Sequence, residues 1–151
     1  MGGLTSRNKG KRGEREIIEL LQPVIDYAYE SLAKTGRDCG QPPRLQRNSL
    51  QSDGGGCDLH NMPHFAIEVK YVEQQNPANI KSWWEQTLSQ VSGTKQPVLI
   101  YRRNHEDWKV MMRGSIGDHR IKAQPCVVVT DMESFQWLIV NTIQHLLMEE
   151  T

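Results

Sequence analysis

The stretch Cys57-Asp58-Leu59-His60-Asn61-Met62-Pro63-His64-Phe65-Ala66-Ile67-Glu68-Val69-Lys70 constrains this chain more than any other. Side chains alternate in character from Phe65 to Tyr71, which predicts a β-strand. Phe65, Ile67, Val69 and Tyr71 share one face, and Ala66, Glu68 and Lys70 the other. Glu68 and Lys70 are then neighbours on one side of a sheet. A turn at Asn61-Met62-Pro63 folds the chain so that Asp58 comes back beside them. Two acids and a lysine, spaced as Asp, nine intervening residues and Glu-x-Lys, converge on a small volume. Such a group can hold a divalent cation next to a phosphate.

A helix ahead of this stretch adds a fourth group. Ile17, Ile18, Leu21, Val24, Ile25, Ala28 and Leu32 follow helical spacing, so a helix is predicted from about Arg12, with a bend at Pro23. Glu16, Glu19, Asp26 and Glu30 fall on its wet stripe, whereas Glu14 falls on the stripe facing the core. A carboxylate there is costly unless a cation or hydrogen-bond donors meet it. Glu14, rather than Glu16, is therefore the functional candidate, the plainer alternative being a first-turn acid favoured by the helix dipole. Residues 1–11 read as a flexible basic arm and residues 12–151 as one domain. Arg7, Lys9, Lys11, Arg12 and Arg15 face a single acid, Glu14, before position 16, while residues 131–151 carry acids and no Lys or Arg. One end of the chain is built to meet phosphates and the other is not.

The rest of the chain alternates between sheet and helix. Residues 34–43 read as a loop and Arg44–Gln51 as an extended polar segment. Gly54-Gly55-Gly56 follows, able to admit another backbone or a ligand. Asn76 with Pro77 predicts a helix start and Gly93 its end, with Ile80, Trp84, Leu88 and Val91 as the apolar stripe and Trp83 beside it. Pro97–Arg103 is a strand buried on both faces, Trp108–Met112 a returning strand, residues 113–124 an irregular connection and Cys126–Thr130 a further strand. Ser134–Glu149 closes the chain as a helix that buries Phe135, Leu138, Ile139, Thr142, Ile143, Leu146 and Leu147, with Ser134 as an alternative cap. This order predicts an α/β (α+β) fold, a central mixed β-sheet flanked by helices, with an extra C-terminal strand and helix.

Composition sets bounds. The 151 residues suffice for one domain with a real core, and 37% hydrophobic with 24% charged residues is ordinary for a soluble protein. Three cysteines, Cys39, Cys57 and Cys126, with no CxxC pair, argue against a disulfide framework or a zinc ribbon. No apolar run approaches the ~18 residues of a membrane span, and no signal peptide opens the chain. A reducing, cytoplasmic setting is expected. A formal net charge of zero argues against a passive, wholly basic nucleic-acid coat.

Taken together, Lys9-Gly10-Lys11-Arg12-Gly13-Glu14-Arg15-Glu16, then Asp58, then Glu68-Val69-Lys70 resemble the PD-(D/E)xK nuclease superfamily. Within it the chain is similar to archaeal Holliday junction resolvases and to phage-encoded resolvase-like nucleases. The phage likeness extends over Arg47-Asn48-Ser49-Leu50-Gln51-Ser52, Trp83-Trp84-Glu85-Gln86 and Pro97–Arg102. It covers residues 7 to 112 and leaves 113–151 as a candidate lineage-specific extension. Cys57 stands where the superfamily name has proline, a position many members vary.

The resemblance implies a restriction-endonuclease-like core and phosphodiester hydrolysis assisted by Mg²⁺ or Mn²⁺. Asp58 and Glu68 are the expected metal ligands, with the backbone carbonyl of Val69 as a third, and Glu14 for a second metal or a water on the first. Lys70 would orient or deprotonate the attacking water, or neutralise charge in the transition state. Arg7, Lys9, Lys11, Arg12, Arg15, Arg44, Arg47, Arg102 and Arg103 would grip phosphates without reading sequence, joined by Ser49 and Gln86. The expected substrate is branched DNA, four-way junctions above all, and a homodimer would match two symmetric scissile strands. Other branched DNA or DNA ends, and a non-catalytic nucleic-acid-binding module of the same fold, are the alternatives.

Overall fold

The computed structural model describes residues 2–48, 57–73, 76–91 and 93–150, with side chains from residue 8 onward. The predicted Ser49 contact and the Gly54–Gly56 run lie outside the described residues, as does the side chain of Arg7. Helix α1 (Gly2–Lys34) is followed by two short strands, β1 (Gln46–Arg47) and β2 (Leu59–His60), and by β3 (Phe65–Val72). Helix α2 (Pro77–Gln90), strands β4 (Gln96–Arg103), β5 (Lys109–Ile116) and β6 (Gln124–Asp131), and helix α3 (Met132–Glu149) complete the chain.

The main sheet has the order β3-β4-β5-β6, with β3 parallel to β4 and the other pairs antiparallel. It is the mixed sheet that the alternating strands and helices predict. A parallel pair needs a crossover, and α2 supplies it. Phe65, Ile67, Val69, Val98 and Ile100 point to one face, where they share a core with Ile17, Leu21 and Ile25 of α1 and Phe135, Ile139 and Ile143 of α3. The rings of Phe65 and Phe135 meet edge to face at 5.4 Å. On the opposite face Leu99 and Tyr101 lie under α2, with the Trp83 ring 6.3 Å from Tyr101. The β3–β4 pair is thus sandwiched between helix layers, which is why residues 65–69 and 97–101 are buried without alternation. The α3 helix packs into this core through Phe135, Ile139 and Ile143.

Several predicted boundaries shift. The α1 helix starts at Gly2 rather than near Arg12, so the basic arm is its first turns, and Pro23 sits inside it without ending it. Burial of Ile17 and Leu21 before the proline and of Ile25, Ala28 and Leu32 after it outweighs the single lost backbone bond. The extended segment expected over Arg44–Gln51 is a strand only at Gln46–Arg47 within the described residues. The connection expected at 113–124 is largely hairpin, because β5 and β6 stay in register out to Ile116 and Gln124. Helix α2 has its predicted Asn76 cap, whose side chain accepts from the Asn79 amide at 2.9 Å. It ends at Gln90, before Gly93, and its one buried residue is Thr87. The packing line is therefore displaced by one position from the predicted Ile80-Trp84-Leu88 stripe, whose members are half-buried. Asp131, not Ser134, caps α3, accepting from the Ser134 amide at 2.6 Å. Leu138, expected inside, is 38% exposed.

Candidate active site

Three backbone devices bring the acids together. Gly13 is buried where α1 crosses β3, and a Cβ there would stand 2.9 Å from the Tyr71 Cβ and 3.5 Å from Val69. Only glycine allows that approach, and it sets the next residue, Glu14, over the outer edge of β3. Second, the turn after β2 places Asn61 and His64 at φ 69 and 64 and buries Met62, folding the chain back as predicted. Third, β1 pairs with β2, matching Arg47 to Leu59, and the Asn48 amide donates to the Asp58 carbonyl at 2.8 Å. Asp58 is thereby held against β3: its own amide donates to the Ile67 carbonyl at 2.9 Å, and its Oδ2 accepts from the Val69 amide at 2.8 Å.

The N–H and C=O of one strand residue point to the same side. Since the Val69 N–H points at Asp58, its carbonyl also faces this open edge, where the metal-ligand expectation puts it. Glu68 and Lys70 point to the other face, with Lys70 Nζ 3.7 Å from Glu68 Oε1. Glu14 Oε2 accepts from Arg47 Nε at 2.6 Å. Asp58 sits beside both Glu14 and Glu68, and its negative charge raises the pKa of each.

Electrostatics distinguish this cluster from a surface ion pair. Burial raises the Glu68 pKa to about 8, the negative charge of Asp58 adds to the rise, and Lys70 opposes it. Burial also raises Glu14, offset by Arg47 and reinforced by Asp58. Among the described residues, three carboxylates thus face two cations, Arg47 and Lys70, and Glu68 Oε2 is buried with no hydrogen-bond partner. An unpaired buried carboxylate oxygen within an excess of negative charge is costly unless a cation or a proton meets it.

These residues fit a divalent metal ion, in a restricted way. Among the described residues no three His, Cys, Asp or Glu side chains gather closely enough to enclose an ion on their own. Mg²⁺ does not need that, since it takes one or two carboxylates and keeps several waters. Asp58 and Glu68, with the Val69 carbonyl, would supply such a partial set.

The other predicted residues distribute unevenly. Arg47, expected at DNA phosphates, spends its Nε on Glu14, and Arg44 lies 3.3 Å from Asp26. Lys11, Arg12 and Arg15 are exposed on α1, and Gln86 is exposed on α2. Glu16 is not simply wet: its Oε2 accepts from Arg102 Nη2 at 2.8 Å and its Oε1 lies 3.4 Å from Arg12. Sequence reasoning missed Arg47 as a partner of Glu14. The available signal was an arginine within the extended segment ahead of Asp58.

A family model described as "Phage putative PDDEXK endonuclease" matches residues 5–144, a span that runs past residue 112 to include β6 and most of α3. Protein D14 of Escherichia phage T5 is 22% identical over 120 residues, covering 73% of this chain and 72% of that protein. No solved structure shows a significant match. With Glu14, Asp58, Glu68 and Lys70 assembled on one edge of the sheet and the family match spanning nearly the whole chain, the protein belongs to this phage family of PD-(D/E)xK endonucleases.

Proposed function

We propose that this chain is a Mg²⁺- or Mn²⁺-dependent endonuclease that cuts branched DNA, four-way junctions foremost, by phosphodiester hydrolysis, and that it works as a homodimer. One observation carries the reading: the partnerless, buried Oε2 of Glu68 beside Asp58 and Glu14, with Lys70 next to it. A structural ion pair would have no reason to keep an acid in that state.

When bound, the divalent ion supplies charge stabilisation at the phosphate and lowers the pKa of the attacking water. Asp58 and Glu68 hold it, and the Val69 amide fixes the Asp58 rotamer. Arg47 keeps Glu14 turned toward the same edge. Lys70 is a quarter exposed, so its Nζ can reach water on one side while Glu68 holds it on the other. From there it can orient the nucleophile or take its proton. The exposed cations of α1 supply sequence-independent grip. The junction preference rests on the resemblance to resolvases, and the homodimer on the two symmetric strands of a junction.

The test is cleavage of a synthetic four-way junction and of linear duplex, each with Mg²⁺ or with EDTA. Paired nicks in the junction that vanish in EDTA are the expected result. Equal cutting of linear duplex would remove the junction preference. Inactivity on every branched substrate would remove the nuclease assignment. Asp58→Asn and Lys70→Ala should abolish cleavage while leaving junction binding in place.

A further inference from the structure

The second flank of α1 carries a cavity that the carboxylate cluster does not use. Lys9, Arg12 and Glu16 recur at helical spacing and face the ends of β3 and β4, meeting Tyr71 and Arg102, whereas Glu14 faces Asp58 and Arg47. Between this flank and the C-terminal ends of the parallel strands β3 and β4 lies a cavity of about 520 Å³. Lys9, Arg12, Tyr71, Arg102, Asn104 and His105 line it, and among the described residues none that lines it is acidic. The carboxyl end of a parallel strand pair is a common place for an α/β protein to receive a ligand, and this volume lies in the small-molecule range of roughly 300–1,000 Å³.

Its cations are assembled in advance. Lys9 Nζ, Arg12 Cζ and Arg102 Cζ stand 5.0, 5.9 and 4.3 Å from the centre of the Tyr71 ring. The Arg102 guanidinium also lies 4.9 Å from the Trp108 ring. Glu16 ties Arg102 and Arg12 together, one oxygen to each. The carboxylate paired with Lys9 is Glu73 at 4.0 Å, whose side chain is 75% exposed and so a weak partner. Among the described residues Arg102 Nε is buried without a hydrogen-bond partner. Three cations gathered round one ring, two of them sharing the half-buried Glu16 carboxylate, repel one another, and a dianionic group would relieve that repulsion. The planar forks of two arginines suit phosphate oxygens in particular.

We propose that this cavity seats a phosphate that is not cut: a phosphate of the bound nucleic-acid strand, held by Lys9, Arg12 and Arg102, with its nucleoside filling the remaining volume. This deepens the nuclease reading and rests on it for the identity of the ligand. The two phosphate sites then straddle α1, with Gly13 bringing the helix down between them. A strand gripped at the cavity is restrained before it reaches the acids, which is how remote binding contributes to positioning for catalysis.

The experiment is an amide-resolved NMR titration of the Asp58→Asn protein in EDTA, where no cleavage can occur. The probes are inorganic phosphate, dTMP, and one single-stranded oligonucleotide carrying either a 5′-phosphate or a 5′-hydroxyl. Saturable shifts at Tyr71, Arg102 and Asn104 are expected, with affinity rising from phosphate to dTMP to oligonucleotide. Arg12→Ala, an exposed change that leaves the packing alone, should weaken dTMP binding about tenfold. Arg102→Lys, which keeps the charge without the fork, should weaken it as well.

A preference for the 5′-phosphorylated strand assigns the cavity to strand ends, and equal, tight binding of both strands assigns it to the internal backbone. Oligonucleotides no tighter than inorganic phosphate would overturn the strand proposal in favour of a free-anion site. Shifts confined to residues 47–70, or binding indifferent to both arginine changes, would overturn the cavity altogether. If oligonucleotides saturate it in a chain whose wild type never cuts DNA, the nuclease reading fails and the cavity stands.

Discussion

Replacing Glu68 by glutamine separates the electrostatic reading of the site from its packing. The side chain is almost fully buried, and its pKa is about 8 in the folded chain against an ordinary 4.5. The folded state therefore keeps a proton that the unfolded chain releases. The resulting penalty is absent below 4.5, grows as pH rises between 4.5 and about 8, and is complete above that. Integrated between about pH 5.5 and pH 8, it costs the metal-free protein at most ~3 kcal/mol. Glutamine has nearly the same shape and can still donate a hydrogen bond to Asp58, but it carries no charge at any pH. Glu68→Gln should thus gain on the wild type by up to that amount from the lower pH to the upper. For a chain of this size ~3 kcal/mol corresponds to roughly 6–12 °C in Tm. The assay is thermal and urea unfolding of both proteins in EDTA across that interval, with their difference removing the titration of the histidines and other acids. Repeating the series with Mg²⁺ should stabilise the wild type selectively at high pH, because the ion takes the place of the proton, and should leave the variant unmoved. A difference that does not vary with pH, or one that moves toward the wild type as pH rises without metal, would refute the account of Glu68 as a carboxylate held for a cation.

Three more outcomes follow from the geometry. Gly13→Ala should destabilise by about 1–3 kcal/mol in urea unfolding, since its Cβ would stand 2.9 Å from the Tyr71 Cβ, and it should lower cleavage further by lifting Glu14. Glu14→Gln should cut junction cleavage by about a hundredfold or more, the scale of one positioned catalytic group. Glu16→Gln should act mainly on DNA affinity through Arg12 and Arg102, and single-turnover rates that reverse this ranking would refute the division of α1 into two flanks. Asp131 caps α3 and has a pKa held below the usual aspartate value by the Ser134 amide and hydroxyl. Its contribution is present above that usual value and is lost as pH falls through the lower folded one. Asp131→Ala should therefore destabilise at neutral pH, and the gap from wild type should close in acid.

What the chain announces locally it also adopts. The helical phase of residues 14–32 placed Glu14 on the core side, and Ile17, Leu21 and Ile25 are fully buried in that register. The alternation from Phe65 to Tyr71 put Glu68 and Lys70 on one face, and the Asn76 cap and the Asn61–Pro63 turn stand where predicted. These features depend on backbone periodicity and on side chains bonding a few residues away, so a window of the sequence contains their cause. The limits of α1, the packing line of α2 and the half-exposed face of β6 do not have that property. Each depends on which layer covers the element: β6 lies beyond the β3–β4 pair that α2 covers, and Val127 and Val129 remain about half exposed despite a β-branched sequence.

Only the tertiary structure decided the partners. Arg47 meets Glu14 across 33 positions and Arg102 meets Glu16 across 86, and charge alone could not have chosen these pairs. The same closure removed water from Glu68. The sequence by itself determined which residue types would converge on phosphodiester chemistry, because spacing and periodicity are local. Folding determined their charge states and assembled the second group of cations, because desolvation and pairing exist only once distant segments are packed together.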